Sequence, residues 1–287
     1  MCPPFATPAP ATWLPLLKSA LEEDIGPGDL TGELLIPAPA RGRARIEARQ
    51  TLRVCGLEIA AAVFEHLDPE LRVSVLHRDG ETVPPGSDLL RVEGALRPIL
   101  AGERLALNFL GRLCGVATFT HHFTDAIKGT GVTLADTRKT IPGWRHLDKY
   151  ATAVGGAVNQ RIGLYDAILI KENHIEACGG VKAAFEAARS RADAEISIQV
   201  EVRHEGEARE ALDAGADFLL LDNWSTADLA RVVPQLRHRA RLEASGGIHL
   251  GNVRAYAETG VDRISIGALT HSAPAADVAL EIAKESP

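Results

Sequence analysis

Residues 196–223 read ISIQVEVRHEGEAREALDAGADFLLLDN, and this stretch predicts one strand–helix–strand unit of a parallel sheet. Apolar and polar residues alternate over 196–202 as they do in a strand, and a second apolar run occupies 218–221. Between the two runs, helical spacing over 205–214 ends at Gly215, a residue type that commonly terminates helices in the left-handed conformation. The stretch therefore favours an α/β fold.

The same unit recurs along the chain from Gly131 onward. Six apolar runs are each followed by a polar turn, and they occupy residues 132–135, 167–170, 196–202, 218–221, 241–244 and 263–266. Six such units in roughly 140 residues predict an incomplete α/β barrel of six or seven strands, smaller than the eight-stranded form. A doubly wound open sheet is the competing fold.

The segment before the repeating units predicts a separate α+β module of about 110 residues. Segments of helical spacing are interspersed with strand-like ones, at 14–21, 43–49, 57–67, 71–76, 89–92 and 99–113. Residues 1–10 contain four prolines, which predicts a disordered lead-in without chemistry of its own.

Composition excludes several classes of protein. The 287 residues are 46% hydrophobic and 24% charged, which excludes disordered and fibrous chains. With 31 basic and 38 acidic residues the net charge is -7, so we expect no nucleic-acid partner. No apolar window is long enough to span a bilayer and no charged leader precedes Lys18, so we expect a cytoplasmic protein without a membrane partner.

Charged residues and glycines follow nearly every apolar run. In a parallel barrel these positions lie at the carboxyl ends of the strands, where active sites form. The residues in question are Arg138, Lys139, Lys171, Glu201, Asp222, Ser245, Gly246, Gly247, Gly267 and Ala268. Period-two alternation places Glu201 on the face opposite the apolar row, which points it into the barrel.

The residue types divide into two chemical groups. Arg138, Lys139, Lys171 and Arg161 suit carboxylate or phosphate oxygens. Glu201 and Asp222 suit a hard divalent cation or sugar hydroxyls. The glycines after the last two runs precede helical segments, where backbone N–H groups favour a terminal phosphate. The pattern predicts a site for phosphorylated substrates.

Seven motifs in this order resemble the quinolinate phosphoribosyltransferase family, also called nicotinate-nucleotide pyrophosphorylase (carboxylating). They are DTRKT at 136–140, GGAVNQR at 155–161, LIKENH at 169–174, EV at 201–202, LDN at 221–223, EASGG at 243–247 and GALTH at 267–271. Upstream, Glu103-Arg104 through Asn108 and GVAT at 115–118 also match. The resemblance extends over about residues 23 to 279, which makes it far more specific than any one motif.

The resemblance implies an N-terminal α/β sandwich domain over 1–113 and a barrel domain over 114–287, with a C-terminal helix packing back on the sandwich. It implies transfer of phosphoribose from phosphoribosyl pyrophosphate to quinolinate with Mg²⁺, giving nicotinate mononucleotide, carbon dioxide and pyrophosphate in de novo NAD biosynthesis. It also implies a homodimer with shared active sites, to which Arg104 contributes across the interface.

Roles follow from the resemblance position by position. Arg104, Arg138 and Arg161 are expected to hold the quinolinate carboxylates. Lys139 and Lys171 are expected to interact with the negative charges of quinolinate and pyrophosphate. Glu201 and Asp222 are expected to bind magnesium and the ribose. Ser245, Gly246, Gly247, Gly267 and Ala268 are expected to receive the 5-phosphate. Gln160 is a further expected substrate-binding residue, and it stands where the family has His.

Three other functions are compatible with the sequence. A lysine at a barrel strand end, such as Lys139 or Lys171, can form a Schiff base with a carbonyl substrate. The barrel could also bind a phosphorylated metabolite without turning it over. The third alternative is a paralogue that resembles the molybdenum-locus phosphoribosyltransferase-like proteins and acts on another aromatic acid.

Overall fold

The structure is a computed structural model that describes residues 6–283. Residues 1–5 of the predicted lead-in lie outside the described residues. In the rest of the predicted lead-in, residues 6–9 form no regular structure, and helix α1 begins at Pro10. A proline is well tolerated there because the first turn of a helix leaves its N–H groups unbonded.

The chain divides into two compact units. The first comprises the described residues up to His121, Thr140–Gly156 and the described residues from Thr270, and the second comprises His122–Lys139 and Ala157–Leu269. Elements beginning in the first unit are α1 (Pro10–Ile25), α2 (Leu30–Leu35), β1 (Arg41–Ala48), β2 (Leu52–Arg53), α3 (Leu57–Leu67), β3 (Arg72–Val75), β4 (Thr82–Val83), β5 (Asp88–Ala95), α4 (Leu96–Ala126), α5 (Arg145–Val154) and β12 (Val278–Ala283). Elements beginning in the second unit are β6 (Thr133–Ala135), β7 (Ile168–Ile170), α6 (Glu172–Cys178), α7 (Val181–Arg189), β8 (Ile198–Val202), α8 (Glu205–Asp213), β9 (Phe218–Asp222), α9 (Thr226–Leu236), β10 (Arg241–Ser245), α10 (Val253–Ala257), β11 (Arg263–Ser265) and α11 (Ala268–His271).

The first unit contains a four-stranded antiparallel sheet in the order β12-β1-β5-β3. Alternate residues of β1 are buried, with Ala44, Ile46 and Ala48 facing the core and charged residues on the other face. The apolar face of α3, including Ile59 and Phe64, belongs to the same core. This arrangement is the α/β sandwich that the resemblance implied.

The C-terminal segment corrects one expectation, because it forms strand β12 and not a helix. The run VALEIA contains good helix formers but also alternates apolar side chains with period two, so its local sequence suits both structures. Tertiary pairing decides: Leu280 lies opposite Ile46 in the antiparallel register of β1. Gly115 leaves room for the returning chain, since a Cβ there would lie 2.2 Å from the Pro274 carbonyl oxygen.

The compact units divide the chain differently from the predicted boundary between residues 113 and 114. That boundary falls inside α4, which continues without a break to Ala126. Residues 140–156 and those from Thr270 onward belong to the first unit although the sequence assigned them to the barrel. Local patterns identify the elements but carry no information on which core each element joins.

The second unit is built on a six-stranded parallel sheet in the order β6-β11-β10-β9-β8-β7. Strands β7 to β11 are neighbours in chain order, without the reversal that a doubly wound sheet requires. The first strand, β6, pairs with the last, β11, as it would in a closing barrel. Strands β6 and β7 are not paired within the described residues, so the barrel is incomplete.

The predicted barrel units are confirmed within two residues at each strand end. All six apolar runs form strands, and the apolar row of β8 at Ile198, Val200 and Val202 is buried. Helix α8 ends at Asp213, one residue before the predicted end, and Gly215 after it has φ of +99°. Across the described residues, no helix combines the length and hydropathy needed to cross a membrane.

Strand β12 is expected to stabilise the first unit. Deleting residues 278–287 removes one of the two partners of β1 and should lower the free energy of unfolding by at least about 2 kcal/mol, measured by urea denaturation. Ile282→Ala, at an exposed position of the same strand, is the control and should change the urea midpoint little. Equal midpoints for the deletion and for Ile282→Ala would contradict the importance of this strand.

Candidate active site

Most of the sequence-predicted residues of the second unit lie at one edge of the parallel sheet, whereas Gln160 and Arg161 lie in the segment that precedes β7. Each residue at this edge is at or beyond the carboxyl end of a strand: Arg138 and Lys139 follow β6, Lys171 follows β7, Glu201 is in β8, Asp222 ends β9, Ser245 ends β10 before Gly246 and Gly247, and Gly267 and Ala268 follow β11. Parallel strands share this edge, so residues far apart in the sequence converge there.

Lys171 is held in place by its own helix. It caps α6, where its backbone N–H donates to His174 Nδ1 at 3.0 Å and its carbonyl oxygen accepts from the His174 N–H at 2.8 Å. The amine remains half exposed and forms an ion pair with Glu201, with Nζ 3.5 Å from Oε2. The backbone is therefore fixed while the charge points to the neighbouring strand end.

Glu201 and Asp222 form an acidic pair beside two lysines. Burial raises the pKa of the Glu201 carboxyl, Lys171 lowers it, and the charge of Asp222 raises it again, with a net shift upward. Burial also raises the pKa of Asp222, against the opposing charges of Lys171 and Lys139. The two carboxylates are therefore incompletely compensated, which favours binding of a cation or of hydroxyl donors.

Arg138 and Arg161 form a second, cationic group. Burial lowers the pKa of the Arg161 guanidinium, and the charge of Arg138 lowers it further. Arg161 Nη1 donates to the Ala167 carbonyl at 3.1 Å, while the buried Nε of Arg138 has no hydrogen-bond partner among the described residues. Two neighbouring guanidinium groups repel each other, so an anion bound between them would relieve the repulsion.

The loop after β10 depends on glycine. Gly246 and Gly247 have φ of +94° and +63°, and a Cβ on Gly246 would lie 2.1 Å from Asn223 Oδ1. Asn223 itself adopts φ of +60°, and its N–H donates to the Ser245 carbonyl at 2.8 Å. Asn252 Nδ2 donates to the Gly247 carbonyl at 3.1 Å. Two asparagines thus fix the loop. Because glycines have no side chain, the backbone N–H groups of the loop remain accessible, as a phosphate site requires.

Sequence reasoning did not assign a role to Asn223, Asn252, Asp136 or Glu243. Asp136 and Glu243 are both 0% exposed and accept hydrogen bonds from the segment that carries Gln160. A signal was available in the acidic residue Glu243 inside an apolar strand, because buried charges are rarely retained without partners. The partner residues themselves could not be read from the sequence.

Arg104 lies on α4 in the first unit, where its side chain is exposed. The other predicted site residues belong to the second unit. Arg104 is predicted to contribute to the active site of the other subunit, and a single chain does not test this. The role of Arg104 therefore stays a prediction.

The donor set fits one kind of metal site. No group of three or more His, Cys, Asp or Glu side chains suited to a metal ion occurs in the part of the chain that the structure describes. Glu201 and Asp222 supply two carboxylates. Magnesium is commonly held by one or two carboxylates together with substrate phosphates, so these residues fit a magnesium ion that arrives with a phosphorylated substrate.

Together, the incomplete parallel barrel and its mixed cationic and acidic edge define an α/β-barrel enzyme that handles anionic, phosphorylated substrates. Residues 29–114 match the N-terminal domain of quinolinate phosphoribosyl transferase, and residues 116–281 match its C-terminal domain. The chain belongs to the quinolinate phosphoribosyl transferase family.

Relatives and solved structures agree with this assignment. The probable nicotinate-nucleotide pyrophosphorylase (carboxylating) of Synechocystis sp. is 38% identical over 96% of this chain and 97% of its own. The protein of the same name from Bacillus subtilis is 38% identical over 93% and 92%. The structure of the Francisella tularensis nicotinate-nucleotide pyrophosphorylase has a TM-score of 0.93 at 38% identity, covering 96% of this chain and 98% of that one. These relatives are named nicotinate-nucleotide pyrophosphorylases, and this chain is an enzyme of the same class, a pentosyltransferase.

The two glycines after β10 should respond differently to substitution. Gly246→Ala adds both a contact with Asn223 and strain at positive φ, and should cost more than about 2 kcal/mol of unfolding free energy. Gly247→Ala adds strain in open space and should cost about 1 kcal/mol. Chemical denaturation of the two variants measures the difference. Similar costs would show that the Asn223 contact does not constrain the loop.

Proposed function

We propose that this protein is a quinolinate phosphoribosyltransferase. It transfers phosphoribose from phosphoribosyl pyrophosphate to the ring nitrogen of quinolinate, with loss of the 2-carboxylate. The products are nicotinate mononucleotide, carbon dioxide and pyrophosphate, which makes the reaction a step of de novo NAD biosynthesis. The proposal is supported by the meeting of Arg138, Lys139, Lys171, Glu201 and Asp222 at one strand edge, with Arg161 close enough to Arg138 for their charges to interact.

The paired arginines account for the quinolinate end of the site. Quinolinate carries two carboxylates, and guanidinium groups bind carboxylates through two parallel hydrogen bonds. Arg138 and Arg161 repel each other and Arg138 Nε lacks a hydrogen-bond partner within the described residues. A bound dicarboxylate compensates both charges and supplies an acceptor for Arg138 Nε.

The lysines and carboxylates account for the phosphoribosyl end. Breaking the bond between the sugar and pyrophosphate develops positive charge on the ribose and negative charge on the leaving group. Lys139 and Lys171 lie next to Asp222 and Glu201, so the lysines can stabilise the pyrophosphate while the carboxylates stabilise the sugar. The ring nitrogen is the nucleophile, so no side chain has to form a covalent bond.

Magnesium is part of this proposal. Glu201 and Asp222 would hold the ion together with the pyrophosphate oxygens. When bound, it supplies positive charge that neutralises the leaving group. The protein residues orient both anionic substrates and exclude water from the reacting carbon.

The proposed assembly is a homodimer with shared active sites. Helix α2 exposes three leucines, Leu30, Leu34 and Leu35, to 75%, 81% and 72%. Clustered exposed apolar side chains commonly mark protein interfaces. This cluster supports a subunit interface in the first unit, and the proposed location of the dimer is the cytoplasm.

A direct assay tests the activity. The protein is mixed with quinolinate, phosphoribosyl pyrophosphate and magnesium, and nicotinate mononucleotide is measured, with nicotinate replacing quinolinate in a parallel reaction. We expect product only from quinolinate. Arg138→Ala and Arg161→Ala should each weaken quinolinate binding by about 2–5 kcal/mol, because each leaves a carboxylate unpaired.

Three outcomes would contradict this proposal. Near-normal quinolinate affinity in both alanine variants would remove the role of the arginines. Covalent trapping of a carbonyl substrate on Lys139 or Lys171 by borohydride would indicate Schiff-base chemistry instead. Binding of phosphoribosyl pyrophosphate without turnover of either pyridine acid would indicate a binding protein.

Mixed dimers test the shared site. Arg104→Ala and Lys139→Ala dimers should each be nearly inactive. After dissociation and random reassociation, about one quarter of wild-type activity should return if Arg104 acts on the partner's barrel, because half of the dimers regain one complete site. Mixing without unfolding or exchange is the control. No recovery despite proven exchange of subunits would place Arg104 in its own subunit's site.

A further inference from the structure

Glu243 is a buried carboxylate that connects three parts of the second unit. It lies in the middle of β10 and is 0% exposed. Its oxygens accept a hydrogen bond from Gln160 Nε2, one from Gln199 Nε2 at 2.9 Å and one from Arg263 Nε at 2.5 Å. Arg263 also forms an ion pair with it. A carboxyl group that accepts from this many donors is held rigidly in place.

A second buried carboxylate holds the backbone of the same segment. Val158 pairs with β6 through its N–H, which donates to the Leu134 carbonyl at 2.8 Å. Asp136 then accepts from Asn159 Nδ2 at 2.7 Å and from the Gln160 N–H at 2.8 Å. Gln160 is therefore fixed at two points, its backbone by Asp136 and its side chain by Glu243.

This double restraint lies directly before Arg161 in the chain. Arg161 is near Arg138, and their like charges oppose close approach before an anion binds. Beyond the restraint, Arg161 is tied to the Ala167 carbonyl through Nη1. Without a fixed residue 160, the guanidinium could move away from Arg138 and the site would have to be reassembled at each binding event.

We propose that Glu243 is a positioning residue for the quinolinate end of the site: by accepting the amide of Gln160, it fixes Arg161 opposite Arg138. This inference rests on the proposed function. In it, Gln160 acts through Arg161, because one N–H of its side-chain amide donates to Glu243. The residue at position 160 must therefore be able to donate a hydrogen bond.

A carboxyl group at position 160 makes that requirement measurable. In Gln160→Glu the new side chain can donate to Glu243 only while protonated, and two facing carboxylates raise the pKa of the pair. The relative KM for quinolinate is the KM of the variant divided by that of the wild type at the same pH. It should be close to one at about pH 5.5 and rise about tenfold or more by about pH 8. The KM for phosphoribosyl pyrophosphate should change less than about twofold.

Two further variants separate positioning from stability. Gln160→Met removes the donor without adding charge, so the relative KM for quinolinate should be raised at every pH. Leu280→Ala removes a side chain that packs against the core of the first unit, away from Glu243, and is the stability control. It should lower the urea midpoint yet leave the relative KM for quinolinate within about threefold of wild type.

The results distinguish a failure of the positioning role from a failure of the proposed function. A relative KM for quinolinate that stays at one in Gln160→Glu and Gln160→Met, or one that rises equally for both substrates, would overturn the positioning role while leaving the proposed function intact. The same would follow if Leu280→Ala reproduced the pH-dependent rise. A wild-type protein that does not turn over quinolinate would overturn the proposed function and this inference together.

Discussion

The parallel alignment of six strands is the constraint on which the site depends. Because β6 to β11 all run in one direction and are hydrogen-bonded side by side, their carboxyl ends share one edge. Lys139 and Asp222 are more than eighty residues apart in the sequence, yet the charge of one alters the pKa of the other. Without this topology the same residues would be scattered charges on separate loops.

The interior of the barrel differs from its edge in how charge is compensated. Inside, the buried carboxylates Asp136 and Glu243 each have well-placed donors, so their charges fix the local structure. At the edge, burial raises the pKa of Glu201 and Asp222, and Arg138 repels the neighbouring Arg161. Uncompensated charge lowers the stability of the free protein and is retained where ligands supply the missing partners.

The fold was largely predictable, and the exceptions share a cause. Short apolar runs indicate the strands of the second unit, and glycines such as Gly215 indicate where helices end. The C-terminal strand β12 was wrongly expected to be a helix, because VALEIA satisfies both periodicities and only pairing with β1 selects between them. The assignment of residues 140–156 to the first unit likewise depends on contacts that no local pattern encodes.

By itself, the sequence determined the order of elements, the parallel topology and the residue types at the strand ends, since these follow from periodicity and from residue chemistry. The tertiary structure alone decided which of these residues act on one another. The partners of Glu243 come from residues 160, 199 and 263, positions brought together only by the barrel. Side-chain pairing depends on distance in space, and that distance is set by packing of the whole sheet.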